Sequence, residues 1–112
     1  MVLGILQAIL LERLSTQTQL LANYPNPFNP ETWIPFELSQ DSQVAISIYD
    51  VQGQPIRQIE LGMVMAGRYV TAGQAVYWDG KTADGETVAS GTYFYQLQAG
   101  DYLETKKMVI LK

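Results

Sequence analysis

The chain has 112 residues, of which 47% are hydrophobic and 16% are charged, with a net charge of −4 at pH 7 and a pI near 4.5. This length and composition predict one folded domain, and an acidic balance with only seven Lys and Arg residues argues against binding to nucleic acid or to an anionic membrane surface. The absence of Cys and His excludes thiol and imidazole nucleophiles and the usual zinc sites, and no cofactor motif is present.

Residues 1–22 are rich in Leu and Ile and contain no proline. Their apolar residues follow the spacing of one helical face and predict a short helix: Leu3, Leu6, Leu10 and Leu14. The run is too short to span a membrane, and it lacks the basic start and the cleavage pattern of an export signal. We interpret it as the tail of a preceding region. Because nothing in the sequence covers its apolar face, we expect residues 2–14 to favour self-association.

Residues 23–35 are punctuated by proline. Asn26 and Asn29 each precede a proline, which biases both towards extended backbone. Tyr24, Phe28 and Trp33 add apolar weight that a flexible linker lacks. We therefore expect this segment to pack on the domain that follows it.

From Ile34 to Lys112 the sequence alternates between apolar and polar residues and is broken by turns. This pattern predicts an all-β fold of about six to seven strands, in which two sheets enclose one core. A change of parity between Ile56 and Ile59 predicts a bulge. The predicted core residues are Ile34, Phe36, Leu38, Val44, Ile46, Ile48, Trp78, Tyr93, Tyr95, Met108 and Ile110.

Three stretches carry a resemblance to known families. The first is Asn23-Tyr24-Pro25-Asn26-Pro27-Phe28-Asn29-Pro30, followed by Thr32, Ile34, Phe36 and Leu38. The second is Trp78-Asp79-Gly80-Lys81 with Asp84-Gly85, Val88 and Gly91-Thr92-Tyr93-Phe94-Tyr95, and the third is Lys107-Met108-Val109-Ile110 with Lys112. The first and third resemble the C-terminal sorting domain of type IX (Por) secretion cargo. The second resembles the signature that those domains share with the Ig-like domain of the flagellar hook-capping (FlgD-type) protein.

The resemblance implies an immunoglobulin-like or fibronectin III-like β-sandwich over residues 23–112, behind the short helix of residues 1–22. It implies a non-catalytic targeting module of a secreted or surface-anchored bacterial protein, which an outer-membrane secretion machinery recognises. The alternative is a structural assembly domain of the hook-capping type. The expected location is outside the cell or on its surface, as part of a larger protein, although no export signal is visible in this chain.

The segments expected to meet a protein partner are the Asn-Pro opening and the last strand. Their residues are Asn26, Pro27, Phe28, Asn29, Pro30, Lys107, Met108, Ile110 and Lys112. For the Asn-Pro opening, a structural role in which the prolines fix the backbone and Phe28 seals the sandwich is compatible with recognition.

Three other functions have weaker support. Asp79, Asp84 and Glu86 lie near two glycines, but they lack the spacing of a calcium loop and suit hairpin turns instead. An aromatic sugar platform would need Trp78 and the tyrosines at 77, 93 and 95 on one face, whereas alternation places Trp78 opposite Tyr77. We expect no enzymatic activity, because the serines lack a histidine base and the acidic residues fall mostly in turns.

Overall fold

The computed structural model describes residues 17–112. In this part of the chain the strands are β1 (Gln19–Leu20), β2 (Thr32–Ile34), β3 (Phe36–Leu38), β4 (Ser42–Tyr49), β5 (Pro55–Val64), β6 (Gly67–Tyr69), β7 (Val76–Trp78), β8 (Gly91–Ala99) and β9 (Tyr102–Ile110). The described residues contain no helix that is long and apolar enough to cross a membrane.

The strands form a sandwich around a single core. One layer is an antiparallel sheet in the order β5-β4-β8-β9, and the other consists of the sheets β1-β3-β6 and β2-β7. Strand alternation turns every second residue of β4 and β8 inward, so their inner faces are apolar. All of the predicted core residues are buried, and Leu20, Phe28, Val76, Val88, Leu97 and Ala99 join them in the same cluster.

The predicted strand count of six to seven is wrong, since nine strands form within residues 17–112. The alternation from Ile34 to Leu38 predicts one strand, but the structure divides this stretch at Pro35. Strand β2, before Pro35, pairs with β7, whereas β3, after Pro35, pairs with β1 and β6. Pro35 has no N–H to donate to a ladder, which makes it a suitable place to change sheets. The two-residue β1 and the three-residue β6 are too short to produce an alternating pattern.

The predicted N-terminal helix is wrong over residues 17–22. That stretch includes β1, in which Gln19 and Leu20 pair with Glu37 and Phe36 of β3, and Leu20 is buried in the core. Pairing and burial override a weak helical preference. The rest of the predicted helix, and the self-association predicted for residues 2–14, lie outside the described residues.

Strand β5 is irregular at two places. Pro55 pairs with Tyr49 and Arg57 with Ile48, which leaves Ile56 as an extra residue, and Leu61 is likewise extra between the partners of Val44 and Ala45. The sequence predicted one bulge between Ile56 and Ile59. The bulges therefore lie at Ile56 and at Leu61.

The start of the domain crosses from one layer to the other. Leu20 belongs to the sheet that contains β3, whereas Phe28 forms a parallel bridge with Ile110 in β9 of the four-stranded sheet. The proline-rich segment lies between these two points. This crossing brings the beginning of the domain against its last strand.

Candidate recognition surface

The two segments that the sequence predicts as recognition elements lie side by side. The Phe28 amide donates to the carbonyl of Val109 at 3.0 Å, and the Leu111 amide donates to the carbonyl of Phe28 at 3.0 Å. We call the combined surface of Asn26–Pro30 and Lys107–Lys112 the terminal patch. Its two halves are separated by about 80 residues of chain, since Asn26 and Val109 are 83 positions apart.

Asn26 supports the last strand with its side chain. Its Oδ1 accepts a hydrogen bond from the Val109 amide at 3.0 Å, so a side chain occupies a position that a neighbouring strand would fill. The peptide bonds before Pro25, Pro27 and Pro30 are all cis. The segment is therefore tied to β9 by both backbone and side-chain atoms.

Phe28 anchors the patch from beneath. Its side chain is 2% exposed and packs against Trp78 at a centroid distance of 5.7 Å, and Trp78 in turn meets the edge of Tyr93 at 6.3 Å. Burying a phenylalanine side chain contributes about 1.5–3 kcal/mol to folding. The burial of Phe28 thus attaches the terminal patch to the core.

The predicted recognition residues divide into buried and exposed groups. Phe28, Met108 and Ile110 are buried, so they cannot touch a partner of the folded domain. The exposed members are Asn26, Pro27, Asn29, Pro30, Lys107 and Lys112. Leu111 was not singled out from the sequence, yet it is 63% exposed, and its amide donates to the carbonyl of Phe28. Alternation in the last strand places Leu111 on the same face as Val109 and opposite the buried Met108 and Ile110, so the sequence does indicate that it points outward.

The last residue is fixed in the structure. The backbone amide of Lys112 donates to Ser90 Oγ at 3.0 Å, and its Nζ donates to the carbonyl of Val88. Neither Ser90 nor the Val88 carbonyl could be identified from the sequence, because these contacts join segments that are 22 and 24 residues away. They hold the end of the chain against the loop before β8.

The Trp-Asp-Gly motif lies directly behind the patch. A Cβ on Gly80 would come within 2.3 Å of the carbonyl oxygen of Pro30, and Gly80 has a φ of +76°. The Trp78 indole donates to the carbonyl of Lys81 at 2.9 Å. Asp79 Oδ1 accepts from the Lys81 amide at 3.0 Å and from Arg57 at 3.2 Å. This motif is therefore a tight turn that supports the proline segment.

The acidic residues near this turn are parts of turns in the chain. Asp79 is engaged by the Lys81 amide and Arg57, while Asp84 and Glu86 belong to a hairpin in which the Gly85 amide donates to Thr82 and the Thr82 amide donates to Glu86. Within residues 17–112 no group of three His, Cys, Asp or Glu residues lies close enough to hold a metal ion. The Asp79 carboxylate therefore supports a turn of its own chain, whereas Asp84 and Glu86 are exposed residues of the hairpin.

The four aromatic residues considered for a sugar platform do not share one face. Trp78 and Tyr95 are fully buried and Tyr93 is 8% exposed, whereas Tyr77 is 48% exposed on the other side of β7. Tyr77 meets Trp33 at 5.6 Å, and Trp33 stacks on Tyr24 at 6.2 Å. This surface row was not predicted, because it joins residues of separate segments.

Two tyrosines beneath the patch have perturbed acidity. Burial raises the pKa of Tyr95 to about 12. Burial also raises the pKa of Tyr93, with a smaller effect from the charge of Asp50, and its hydroxyl donates to the carbonyl of Ala89 at 2.7 Å. Both side chains stay neutral at physiological pH and serve as hydrogen-bonding core residues.

A family model described as FlgD Ig-like domain matches residues 28–102. A search of curated proteins found no match. The match covers the sandwich from Phe28 to the start of β9, including the Trp-Asp-Gly turn.

Solved structures with a similar fold include two from Porphyromonas gingivalis and one from P. aeruginosa. Dimeric latent PorU has a TM-score of 0.67 at 17% identity, over 82% of this chain and 9% of that chain. PorZ, described as an essential bacterial surface component of the type-IX secretion system, has a TM-score of 0.56 at 22% identity, over 81% of this chain and 11% of that chain. FlgD from P. aeruginosa has a TM-score of 0.53 at 22% identity, over 87% of this chain and 68% of that chain. The chain thus corresponds to a small part of PorU and PorZ, and these likenesses show a shared fold.

Proposed function

The chain belongs to the FlgD Ig-like domain family, and from this premise we propose that it is a non-catalytic targeting module of a secreted or surface-anchored bacterial protein. An outer-membrane secretion machinery would recognise its folded surface. In this proposal the domain lies at the C-terminus of a larger protein and carries no catalytic group.

The observation that carries the proposal is the contact between Phe28 and Ile110. It joins the Asn-Pro opening and the last strand, which resemble the sorting domains, into the terminal patch. A rigid patch loses little conformational entropy when a partner binds, which favours recognition. The patch exists only in the folded domain, so the secretion machinery would recognise the folded domain and not an unfolded segment.

The solved structures add support of a different kind. PorZ is a surface component of the type-IX secretion system and contains a domain of this fold. A domain of this type is therefore compatible with that machinery. The absence of Cys and His from the whole sequence supports the non-catalytic part of the proposal.

The proposal is tested by export of a reporter. The full 112-residue chain is fused to the C-terminus of a periplasm-directed reporter in a bacterium that carries the type IX machinery. We expect the reporter to reach the cell surface or the medium. If it stays in the periplasm as completely as the unfused reporter, the targeting role is wrong.

A matched pair of variants tests the terminal patch itself. Leu111→Asp changes a residue that is 63% exposed within the patch, and Met63→Asp changes one that is 69% exposed near the opposite end of the sheet. Because both side chains are in solvent, neither change should unfold the domain. Export that falls at least tenfold for Leu111→Asp and stays normal for Met63→Asp would support recognition through the patch. Equal effects of the two changes would argue against it.

The alternative is an assembly domain that packs between subunits of a filament. The observation in its favour is the fold match to FlgD from P. aeruginosa, in which the matched region makes up 68% of that chain. Neighbouring genes discriminate between the two functions. Flagellar rod and hook genes beside this one would favour assembly, whereas a large extracellular protein encoded in frame upstream would favour targeting.

A further inference from the structure

Strand β9 lies at the edge of the four-stranded sheet, and only part of its outer edge is occupied. Val109 and Leu111 use their outward backbone groups to bind Asn26 and Phe28. Alternate residues of a strand direct their N–H and C=O groups to the same side. Leu103, Thr105 and Lys107 therefore direct these groups outward as Val109 does, and they make no backbone hydrogen bond on that side to another described residue.

The free part of the edge has defined limits. Phe28 blocks it beyond Val109, and the turn at Gly100 and Asp101 ends it on the other side. The open stretch runs from residue 103 to residue 107, and its midpoint is Thr105. Unpaired edges of this kind pair readily with another strand.

The charges along this edge are complementary to those on the same edge of a second, antiparallel copy. Glu104 and Lys106 point to the same side of β9 and are 28% and 38% exposed in their side chains. In an antiparallel pair centred on Thr105, Glu104 of one copy faces Lys106 of the other, and this happens twice. Moving the two-fold axis by one residue, to Glu104 or to Lys106, would place Glu104 opposite Glu104 or Lys106 opposite Lys106, and like charges directly opposite are unfavourable.

We propose that β9 pairs antiparallel with β9 of a second copy of this chain, about a two-fold axis at Thr105. The pair would form about six backbone hydrogen bonds from Leu103, Thr105 and Lys107 of the two copies. It would also cover Leu103, which is 58% exposed, with the aliphatic stem of Lys107. Both the limits of the open edge and the charge pattern select this register. The interface is self-complementary, as two-fold symmetry requires.

Single cysteines test the register, because the natural chain contains none. In the full chain, Thr105→Cys places two thiols on residues whose Cα atoms are about 5.5 Å apart, within the range for a disulfide. Leu103→Cys is the matched control on the same face of β9. Leu103 faces Lys107 of the second copy, so the two cysteines would be offset by four residues, or about 13 Å.

We expect mild oxidation to give at least tenfold more covalent dimer for Thr105→Cys than for Leu103→Cys. Equal cross-linking at both positions, or none at Thr105→Cys, would overturn the proposal. An absence of cross-linking at Thr105→Cys would follow if residues 1–16 or a different protein occupied the edge. Association through residues 2–14 would not produce a preference for one position in β9.

Charge exchange provides a second test. Glu104→Lys and Lys106→Glu should each weaken the dimer about tenfold, because each variant places like charges opposite one another. An equimolar mixture of the two variants restores both opposite-charge pairs and should form a heterodimer, measured by native mass spectrometry. Glu104→Lys also removes the acceptor of the Leu20 amide, so circular dichroism first checks that both variants are folded. A mixture of folded variants that associates no better than either variant alone would overturn the proposal, and if either variant is unfolded the cysteine test decides alone. This dimer goes beyond the targeting function, and neither experiment depends on export.

Discussion

The carbonyl oxygen of Pro30 lies so close to Gly80 that a Cβ on residue 80 would come within 2.3 Å of it. This contact joins the proline segment to the Trp-Asp-Gly turn. Since the obstacle is backbone and not the end of a flexible side chain, it cannot move without displacing the terminal patch.

Gly80→Ala should therefore destabilise the domain by about 2–4 kcal/mol, from the cost of a left-handed backbone and of the displaced chain. The control is Gly85→Ala, where φ is +86° but nothing lies within 4 Å of the new Cβ. That change should cost about 1 kcal/mol, which is the backbone cost alone. Urea unfolding of both variants gives the difference. Equal losses would mean that the contact with Pro30 has no energetic weight.

Asn26→Ala should loosen the last strand without unfolding the domain. It removes the Oδ1 atom that accepts from the Val109 amide, and one hydrogen bond of this kind contributes about 1 kcal/mol. Hydrogen exchange at the Val109 amide should become about fivefold faster. Asn29→Ala is the control, because no side-chain hydrogen bond of Asn29 occurs within residues 17–112. Unchanged exchange at Val109 in Asn26→Ala would contradict the assigned role.

The interior could be predicted from the sequence because it depends on local alternation. Ile46, Trp78 and Ile110 are all buried in one cluster, as the two-residue period of their strands indicates. The partition of strands between sheets could not be predicted in the same way. The apolar alternation of Ile34 to Leu38 continues through Pro35, so the pattern gives no sign that the strand divides there.

The candidate surface was predictable only as two separate segments. The sequence identified the Asn-Pro opening and the last strand, but their contact depends on pairing between Phe28 and Ile110 across the whole domain. It also grouped Phe28 with exposed residues, whereas Phe28 is buried against Trp78. A short motif indicates which residues occur together, and it does not show which of them face solvent.

Glu104 should stabilise the domain in a pH-dependent manner. Burial alone would raise its pKa, but hydrogen bonds from the Leu20 amide and the Tyr102 hydroxyl, together with Lys106, outweigh burial and lower it. A carboxyl whose pKa is lowered by folding contributes stability above its unfolded pKa, and this contribution is lost as the pH falls through the folded value. The Leu20 amide donates to Glu104 at 2.7 Å, which links β9 to β1 of the opposite layer.

Glu104→Gln should therefore lower the free energy of unfolding at pH 7 and have a smaller effect in acid, where the natural carboxyl is also neutral. Urea unfolding of the two proteins at pH 7 and pH 3 measures this difference. Glu86→Gln is the control, because it makes the same change at an exposed carboxyl that has no side-chain hydrogen bond or ion pair within residues 17–112. A destabilisation by Glu104→Gln that does not change with pH would show that the loss comes from packing and not from the ionised group.

Tyr95 should make the domain sensitive to alkali. Its hydroxyl accepts from the Asn23 amide at 3.0 Å and donates to the carbonyl of Leu21 at 2.9 Å, which fixes the start of the crossing segment to the core. Burial is the main reason that its pKa rises from 10.0 to about 12. A tyrosine whose pKa is raised by folding gives its full stabilisation below pH 10 and loses it as the pH rises from 10 towards 12. Over that interval the loss is on the order of 2–3 kcal/mol.

Tyr95→Phe removes both hydrogen bonds and should cost about 1–3 kcal/mol at pH 7, because it leaves the amide of the buried Asn23 without its partner. The same variant cannot ionise, so its disadvantage should shrink as the pH approaches 12. Tyr49→Phe is the control, since the Tyr49 hydroxyl makes no hydrogen bond within residues 17–112 and lies on the outer face of β4. Unfolding followed between pH 8 and pH 12 tests this. A gap between natural protein and Tyr95→Phe that stays constant over that range would mean that the Tyr95 hydroxyl ionises as easily in the folded domain as in the unfolded chain.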